Sequence, residues 1–305
     1  MTAMAASRLA VWWHGARPRT LAAGVMPVIV GTAAAGRASW WRFGAALLVA
    51  LGLQIGVNYA NDYHDGVRGI DTEHRTGPPR LTSSGMAAPA SVAAAALACI
   101  GVAGVAGLAL AVATSLWLIP VGALAMVALW LYSGGPRPYA GLGLGEVMVF
   151  LFFGLMATAG TAYVQAERVP AAAWWASVVM GLLAVAILVA NNLRDIPTDE
   201  ATGKRTLAVR LGDRRTRVLY RAVVVLAFAV AVTGVIAGIV ASGAGLSQWA
   251  LLSLAAWVVA IRPMELVGRA RGGELVEVLV GTASVQAAFG ALLALGLWIA
   301  GVTAA

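Results

Sequence analysis

Along the chain, long uninterrupted apolar runs are separated by short polar stretches. Nine runs are legible, near residues 20–36, 41–60, 90–113, 116–134, 144–164, 172–193, 218–241, 247–261 and 276–300. They are continuous and rich in Ala, Leu, Val and Gly, which predicts helices that cross a bilayer, since about 20 apolar residues span the hydrocarbon layer. The strands of a membrane barrel would alternate apolar and polar residues instead. The eighth run is short for a full crossing.

Composition points the same way. The 305 residues are 61% hydrophobic and only 11% charged, whereas soluble domains carry about a quarter charged residues. Mean hydropathy is +0.85. The expected fold class is all-α: a polytopic membrane protein of about nine transmembrane helices, with residues 1–305 forming a single membrane-embedded domain. The N-terminal residues lack the pattern of a cleaved secretory signal, so the first run is expected to remain as a span. Cys99 is the one cysteine; it excludes a disulfide within the chain and reads as a small packing residue.

A net charge of +8 raises the question of a nucleic-acid partner, and the placement of the charge argues against one. With the N-terminus taken as cytoplasmic, only Arg37, Arg42 and Arg168 of the 21 Lys and Arg residues fall on the far side. Cytoplasmic loops are the ones enriched in Lys and Arg. The expected setting is therefore the cell membrane, with membrane lipid around the spans and both acid-rich loops cytoplasmic.

Those two loops carry the chemistry. "NYANDYHDGVRGID" (Asn58 to Asp71) follows the second run, and "ANNLRDIPTDEATGKRTLAVRLG" (Ala190 to Gly212) follows the sixth. Asn61 and Asp65 are four residues apart, as are Asn191 and Asp195, so each pair shares a helix face if the helix continues. Asp199 is four further on, with Pro197 expected to kink or end the helix before it. Gln54, Asn58 and Asp62 make a polar stripe on a helix that should meet lipid, which implies a polar cavity. Carboxylates crowded at one mouth are unfavourable unless a cation neutralises them. Hard oxygen donors without Cys or His-x3-His spacing exclude zinc and suit Mg²⁺, which binds through one or two carboxylates and substrate phosphate oxygens. With Arg194, Lys204 and Arg205 nearby, the two loops read as a clamp for a diphosphate.

At these residues the sequence resembles the UbiA superfamily of intramembrane prenyltransferases, and in particular the branch that prenylates 1,4-dihydroxy-2-naphthoate. "GARPRTLAAGVMPVIVGT" is similar to that branch's opening, and "GPRPYAGLGLGEVMVFLFFG" to the stretch leading into its fifth helix. Asp71 follows Asp65 by six residues rather than the four common in the superfamily, a spacing that matches the naphthoate branch. The resemblance implies helices around a central cavity and Mg²⁺ held by Asn61, Asp65 and Asp71 with Asn191, Asp195 and Asp199. The implied reaction joins a polyprenyl diphosphate to 1,4-dihydroxy-2-naphthoate with loss of CO2, giving demethylmenaquinone. Asp65 and Asp195 would be essential to it.

Several further roles follow from position. Lys204 and Arg205 are expected to hold phosphate oxygens, or to meet lipid headgroups. Arg137 and Tyr139 would reach the diphosphate or shield a carbocation, or anchor the interface. Asn58, Asp62, Asn191 and Arg194 are expected at the substrate. Arg17 and Arg19 serve topology or bind the naphthoate carboxylate. Glu146 opens a span, where a carboxylate needs a partner or a substrate. Two other readings stay open: another aromatic acceptor within the same family, and a cation-coupled transporter. The transporter should show charged sites at mid-membrane, which the runs lack.

Overall fold

The computed structural model describes residues 8–69, 79–136 and 138–303. Asp71 and Arg137 lie outside the described residues. All regular elements among the described residues are helical, as lipid demands of any segment whose backbone cannot bond to water. They are α1 (Arg8–Ala16), α2 (Ala22–Ala34), α3 (Trp40–Val67), α4 (Pro89–Ala113), α5 (Leu118–Ser133), α6 (Gly145–Ala166), α7 (Ala171–Ala201), α8 (Leu207–Val240), α9 (Gln248–Leu266) and α10 (Gly272–Thr303).

Seven of them, α3, α4 and α6 to α10, are long and apolar enough to cross a membrane. Helices α2 and α5 are apolar but have 13 and 16 residues, which at 1.5 Å per residue reach only about 20–24 Å. Each of the nine apolar runs thus folds as helix, but seven rather than nine meet the length for a full crossing. The eighth run, short in the sequence, gains flanking residues and becomes a 19-residue helix. The first and fourth are the short ones.

Outward faces are as apolar as the core. Val105, Val112, Ile239 and Val258 are each at least 70% exposed, an arrangement that only lipid tolerates. Trp40, Trp41, Trp117 and Trp174, all more than half exposed, sit where α3 and α7 begin and just before α5. Aromatic residues of this kind gather at a membrane–water boundary. Arg42 ties that end together. Its guanidinium donates to the Ala113 and Val164 carbonyls at 3.2 and 2.7 Å and pairs with Glu167 at 3.2 Å. The start of α3 and the ends of α4 and α6 therefore lie side by side, so neighbouring helices run antiparallel.

Two helices are overlong. Helix α3 has 28 residues and α7 has 31, about 42 and 46 Å, against about 30 Å of hydrocarbon. Their last turns extend beyond the apolar layer, and those turns hold the two acidic motifs. Helix α7 does not stop at Pro197 as the sequence suggests, but runs on to Ala201. A proline removes one N–H and crowds the carbonyl four residues back. Near the helix end, the Thr198 and Thr202 hydroxyls satisfy the carbonyls of Asp195 and Thr198, each at 2.9 Å. In contrast, α8 breaks at Gly212, whose φ of 74° and ψ of 168° suit glycine and few other residues.

Close approach at small residues brings the helices together. A Cβ on Gly52 would stand 2.8 Å from the Cys99 carbonyl oxygen, which places α3 against α4. On Gly154 it would stand 2.6 Å from Gly181 Cα, which places α6 against α7. Between Phe150 and Ala159, α6 widens into a π-helix. Such widening often accompanies functional sites, and Phe152, Phe153 and Met156 from this stretch line the central cavity.

Candidate functional site

The helices enclose a cavity of about 810 Å³, within the range of ligand-binding clefts. Its depth is apolar, with walls that include Val28, Val49, Leu110, Phe152 and Phe153. Its mouth is polar and is built where α3 and α7 end.

Both acidic motifs open onto this cavity. Asn58, Asn61, Asp62 and Asp65 line it from α3, and Asn191, Arg194, Asp195 and Asp199 from α7. Helical continuity past Asp65 and past Asp199 gives each motif its common face. Residues distant in sequence meet through Lys204. Its ammonium lies 3.9 Å from Asp65 Oδ2 and 3.8 Å from Asp199 Oδ1. These are ion-pair distances, too long for hydrogen bonds. All three side chains line the cavity, and both aspartates are more than nine-tenths buried.

The remaining carboxylates are held differently. Asp195 accepts two hydrogen bonds from the Arg194 guanidinium, each 2.7 Å, and one from the Asn191 amide at 3.3 Å. Asp62 accepts the backbone N–H groups of Leu81 and Thr82, both at 2.9 Å, so its two oxygens hold the chain that follows the first motif. Asn58 donates to the Ala16 carbonyl at 3.0 Å and so attaches the N-terminal segment to α3.

Tyr139 and Arg19 also line the cavity. The Tyr139 ring meets Tyr132 edge-on at 5.4 Å, and burial raises its phenol above the ordinary value, keeping it a neutral donor at physiological pH. Arg205 is exposed and Glu146 is buried; neither is a lining residue. Glu146 supports the wall from behind, accepting a 3.0 Å hydrogen bond from Asn192, which does line it. Replacing Glu146 with Leu would strand the buried Asn192 amide and is expected to lower stability by about 1–3 kcal/mol, whereas Glu146→Gln keeps an acceptor and should stay near wild type. Thermal unfolding in detergent reads the difference, and equal stability of the two variants would remove this role.

Asn192, Tyr132 and Arg80 were not singled out in the sequence. Asn192 was signalled only by the doubled Asn before "LRD", and the other two by nothing local. His64, beside Asp65, packs its ring against Trp130 at 4.8 Å and is not a lining residue.

Among the described residues, no three His, Cys, Asp or Glu side chains group closely enough to hold a metal ion by themselves. The donor set nevertheless fits a hard cation that shares its shell with a ligand. Asn61 Oδ1 is buried without a hydrogen-bond partner, and Mg²⁺ needs only one or two carboxylates when phosphate oxygens complete its octahedron.

Comparison with known proteins agrees with this architecture. The model of the UbiA prenyltransferase family matches residues 24–274. The 1,4-dihydroxy-2-naphthoate octaprenyltransferase of Mycobacterium tuberculosis is 46% identical over 274 residues, covering 88% of this chain and 90% of that protein. Among solved structures, an apo UbiA homolog from Aeropyrum pernix superposes with a TM-score of 0.68 at 16% identity, over 92% of this chain and 97% of that one. A UbiA homolog from Archaeoglobus fulgidus bound to DMAPP and Mg²⁺ gives 0.64 at 14% identity, over 94% and 99%. At such identities the structures establish the fold, while the family model and the 46% identical relative establish kinship. This chain belongs to the UbiA prenyltransferase family.

Proposed function

We propose that this chain transfers a polyprenyl group from an all-trans polyprenyl diphosphate to 1,4-dihydroxy-2-naphthoate, releasing diphosphate and CO2 and giving demethylmenaquinol, the reduced form of demethylmenaquinone. The observation that carries the reading is Lys204 set between Asp65 and Asp199 at the polar mouth of an apolar cavity. A ligand with an anionic head and a long hydrocarbon tail matches that division. The name of the Mycobacterium tuberculosis relative supports the naphthoate acceptor.

Lys204 and Arg194 bind the phosphate oxygens and stabilise the charge gathered on the departing diphosphate. Asp65, Asp199 and Asn61, with Asn191 and Asp195 beside them, would hold Mg²⁺; Asp71 would complete the set. Bound there, the ion neutralises leaving-group charge. Tyr132 and Tyr139 line the cavity, where an aromatic ring favours a passing carbocation. The apolar walls hold the tail and exclude water, which would otherwise capture that cation. The carbon–oxygen bond of the donor breaks with both electrons leaving on diphosphate. A ring carbon of the acceptor then forms the new bond, and its carboxyl group departs as CO2, the freed electron pair restoring the aromatic ring.

Residues 1–305 act as one membrane-embedded unit in the cell membrane, surrounded by lipid, with the N-terminus and both motifs on the cytoplasmic side. The bias of Lys and Arg toward that side supports the orientation, and no nucleic acid is involved. Purified protein incubated with the naphthoate, a polyprenyl diphosphate and Mg²⁺ should yield demethylmenaquinol (read as demethylmenaquinone after oxidation in air) and CO2 in equal amounts, and EDTA should stop both. Equal product from 4-hydroxybenzoate would overturn the acceptor assignment.

A further inference from the structure

Helix α3 brings a stripe of three polar side chains to the cavity, and the fold itself employs two of them. Asp62 gives both oxygens to the backbone N–H groups of Leu81 and Thr82. Asn58 donates to the Ala16 carbonyl. Gln54, one turn further from the mouth, is the third. It lines the cavity and is 8% exposed, and its Oε1 is buried without a hydrogen-bond partner. An amide oxygen buried without a donor is unfavourable, and a polar side chain kept within a membrane span usually serves a ligand.

The adjoining wall brings no side-chain donor. Leu53 and Val57 on α3, and Ala23 and Gly24 on α2, also line the cavity and are all apolar. A Cβ on Gly24 would stand 3.6 Å from Gln54 Cβ, so α2 packs on α3 here with no side chain between them. At 1.5 Å per residue, Gln54 lies about 6 Å below Asn58 and about 16 Å below Asp65 along the helix. The carboxamide is therefore set beneath the charged mouth, where the cavity turns apolar.

The ligands of the proposed reaction differ in what they can give to this oxygen. A polyprenyl diphosphate has a head made of acceptors and a hydrocarbon tail. The naphthoate has two hydroxyl groups. The one beside the carboxylate is drawn into a charge-assisted hydrogen bond with it, which leaves the 4-hydroxyl free to donate. We infer that Gln54 is a specificity residue, accepting a hydrogen bond from the 4-hydroxyl of the aromatic acceptor. The inference rests on the proposed function and deepens it. The acidic motifs and Lys204 receive the donor's head, and the Gln54 amide sorts acceptors by a hydroxyl at the far side of the ring. A site built to bond a hydroxyl rejects an analogue without it far more strongly than an apolar pocket does.

The probe is 1-hydroxy-2-naphthoate, which keeps the carboxylate and its neighbouring hydroxyl and lacks only the 4-hydroxyl. Its inhibition constant is measured beside the KM of the naphthoate and of the polyprenyl diphosphate, in wild type and in Gln54→Met. Methionine keeps the length of the side chain and removes the amide. Wild type should bind the probe at least about tenfold more weakly than the naphthoate. Gln54→Met should raise the naphthoate KM about tenfold while the other two constants move by less than about threefold, so that the preference disappears. It should also unfold at no lower temperature, since no hydrogen bond of Oε1 within the protein is lost. Equal binding of the two ring compounds to wild type would overturn the inference, and that measurement stands even if Gln54→Met fails to fold. An equal loss for both ring compounds in Gln54→Met, the result of a purely structural role, would overturn it too. So would unchanged constants, or a rise confined to the diphosphate KM. Wild type that makes no product from the naphthoate would instead sink the proposed function, before any variant is needed.

Discussion

Asp65→Asn is expected to lower turnover by about a hundred- to a thousand-fold, the scale seen when one preorganised electrostatic group is lost from an active site. The substitution keeps size and shape but removes one of the two carboxylates that face Lys204. The remaining one, Asp199, would then balance the lysine alone, leaving less negative charge for a divalent ion. Because the side chain is buried at a helix end rather than within the packed core, folding should survive. Product formation at saturating substrate, read beside a thermal melt in detergent, separates the two effects. Turnover within about tenfold of wild type in a folded Asp65→Asn protein would remove the clamp as the source of catalysis.

The second large effect concerns stability. Gly154→Leu would drive a side chain into the backbone of α7. Even its Cβ would stand 2.6 Å from Gly181 Cα and 2.7 Å from the Ser177 carbonyl oxygen. Backbone atoms of a buried helix cannot step aside as a flexible side chain does, and overpacking of this kind costs about 1–3 kcal/mol and occasionally more. The expected result is loss of the monodisperse folded species on size exclusion in detergent. Gly101→Leu is the control, since nothing lies within 4 Å of a Cβ there and the residue is exposed. If both variants behaved alike, the close approach of α6 and α7 would not be what holds this part of the bundle.

Much of the site could be read from one dimension because its parts are local. Asn61 with Asp65 and Asn191 with Asp195 share faces through a four-residue spacing, which needs only that each helix continue. The polar stripe of Gln54, Asn58 and Asp62 correctly implied a cavity, since all three line it. The role of Asp62 was not legible in the same way. Its partners are two backbone N–H groups about 20 residues onward, and no spacing rule reports such a contact. Pro197 misled for a related reason: propensity describes an isolated helix, while here the helix end is completed by threonine hydroxyls. The π-helical stretch of α6 left no mark on the sequence; Phe150 and Gly154, within it, pack against Gly181 of α7, a contact that no local spacing reports.

Hydropathy by itself determined the helical class and the number and order of the apolar segments. Those properties depend on how each short segment partitions between water and lipid, so neighbours in sequence suffice to decide them. Which of the segments are long enough to cross, and that Lys204 joins Asp65 to Asp199, were decided by tertiary structure alone. A pairing between residues more than 130 positions apart depends on how whole helices pack, and packing is set by shape complementarity spread over many side chains rather than by any one stretch.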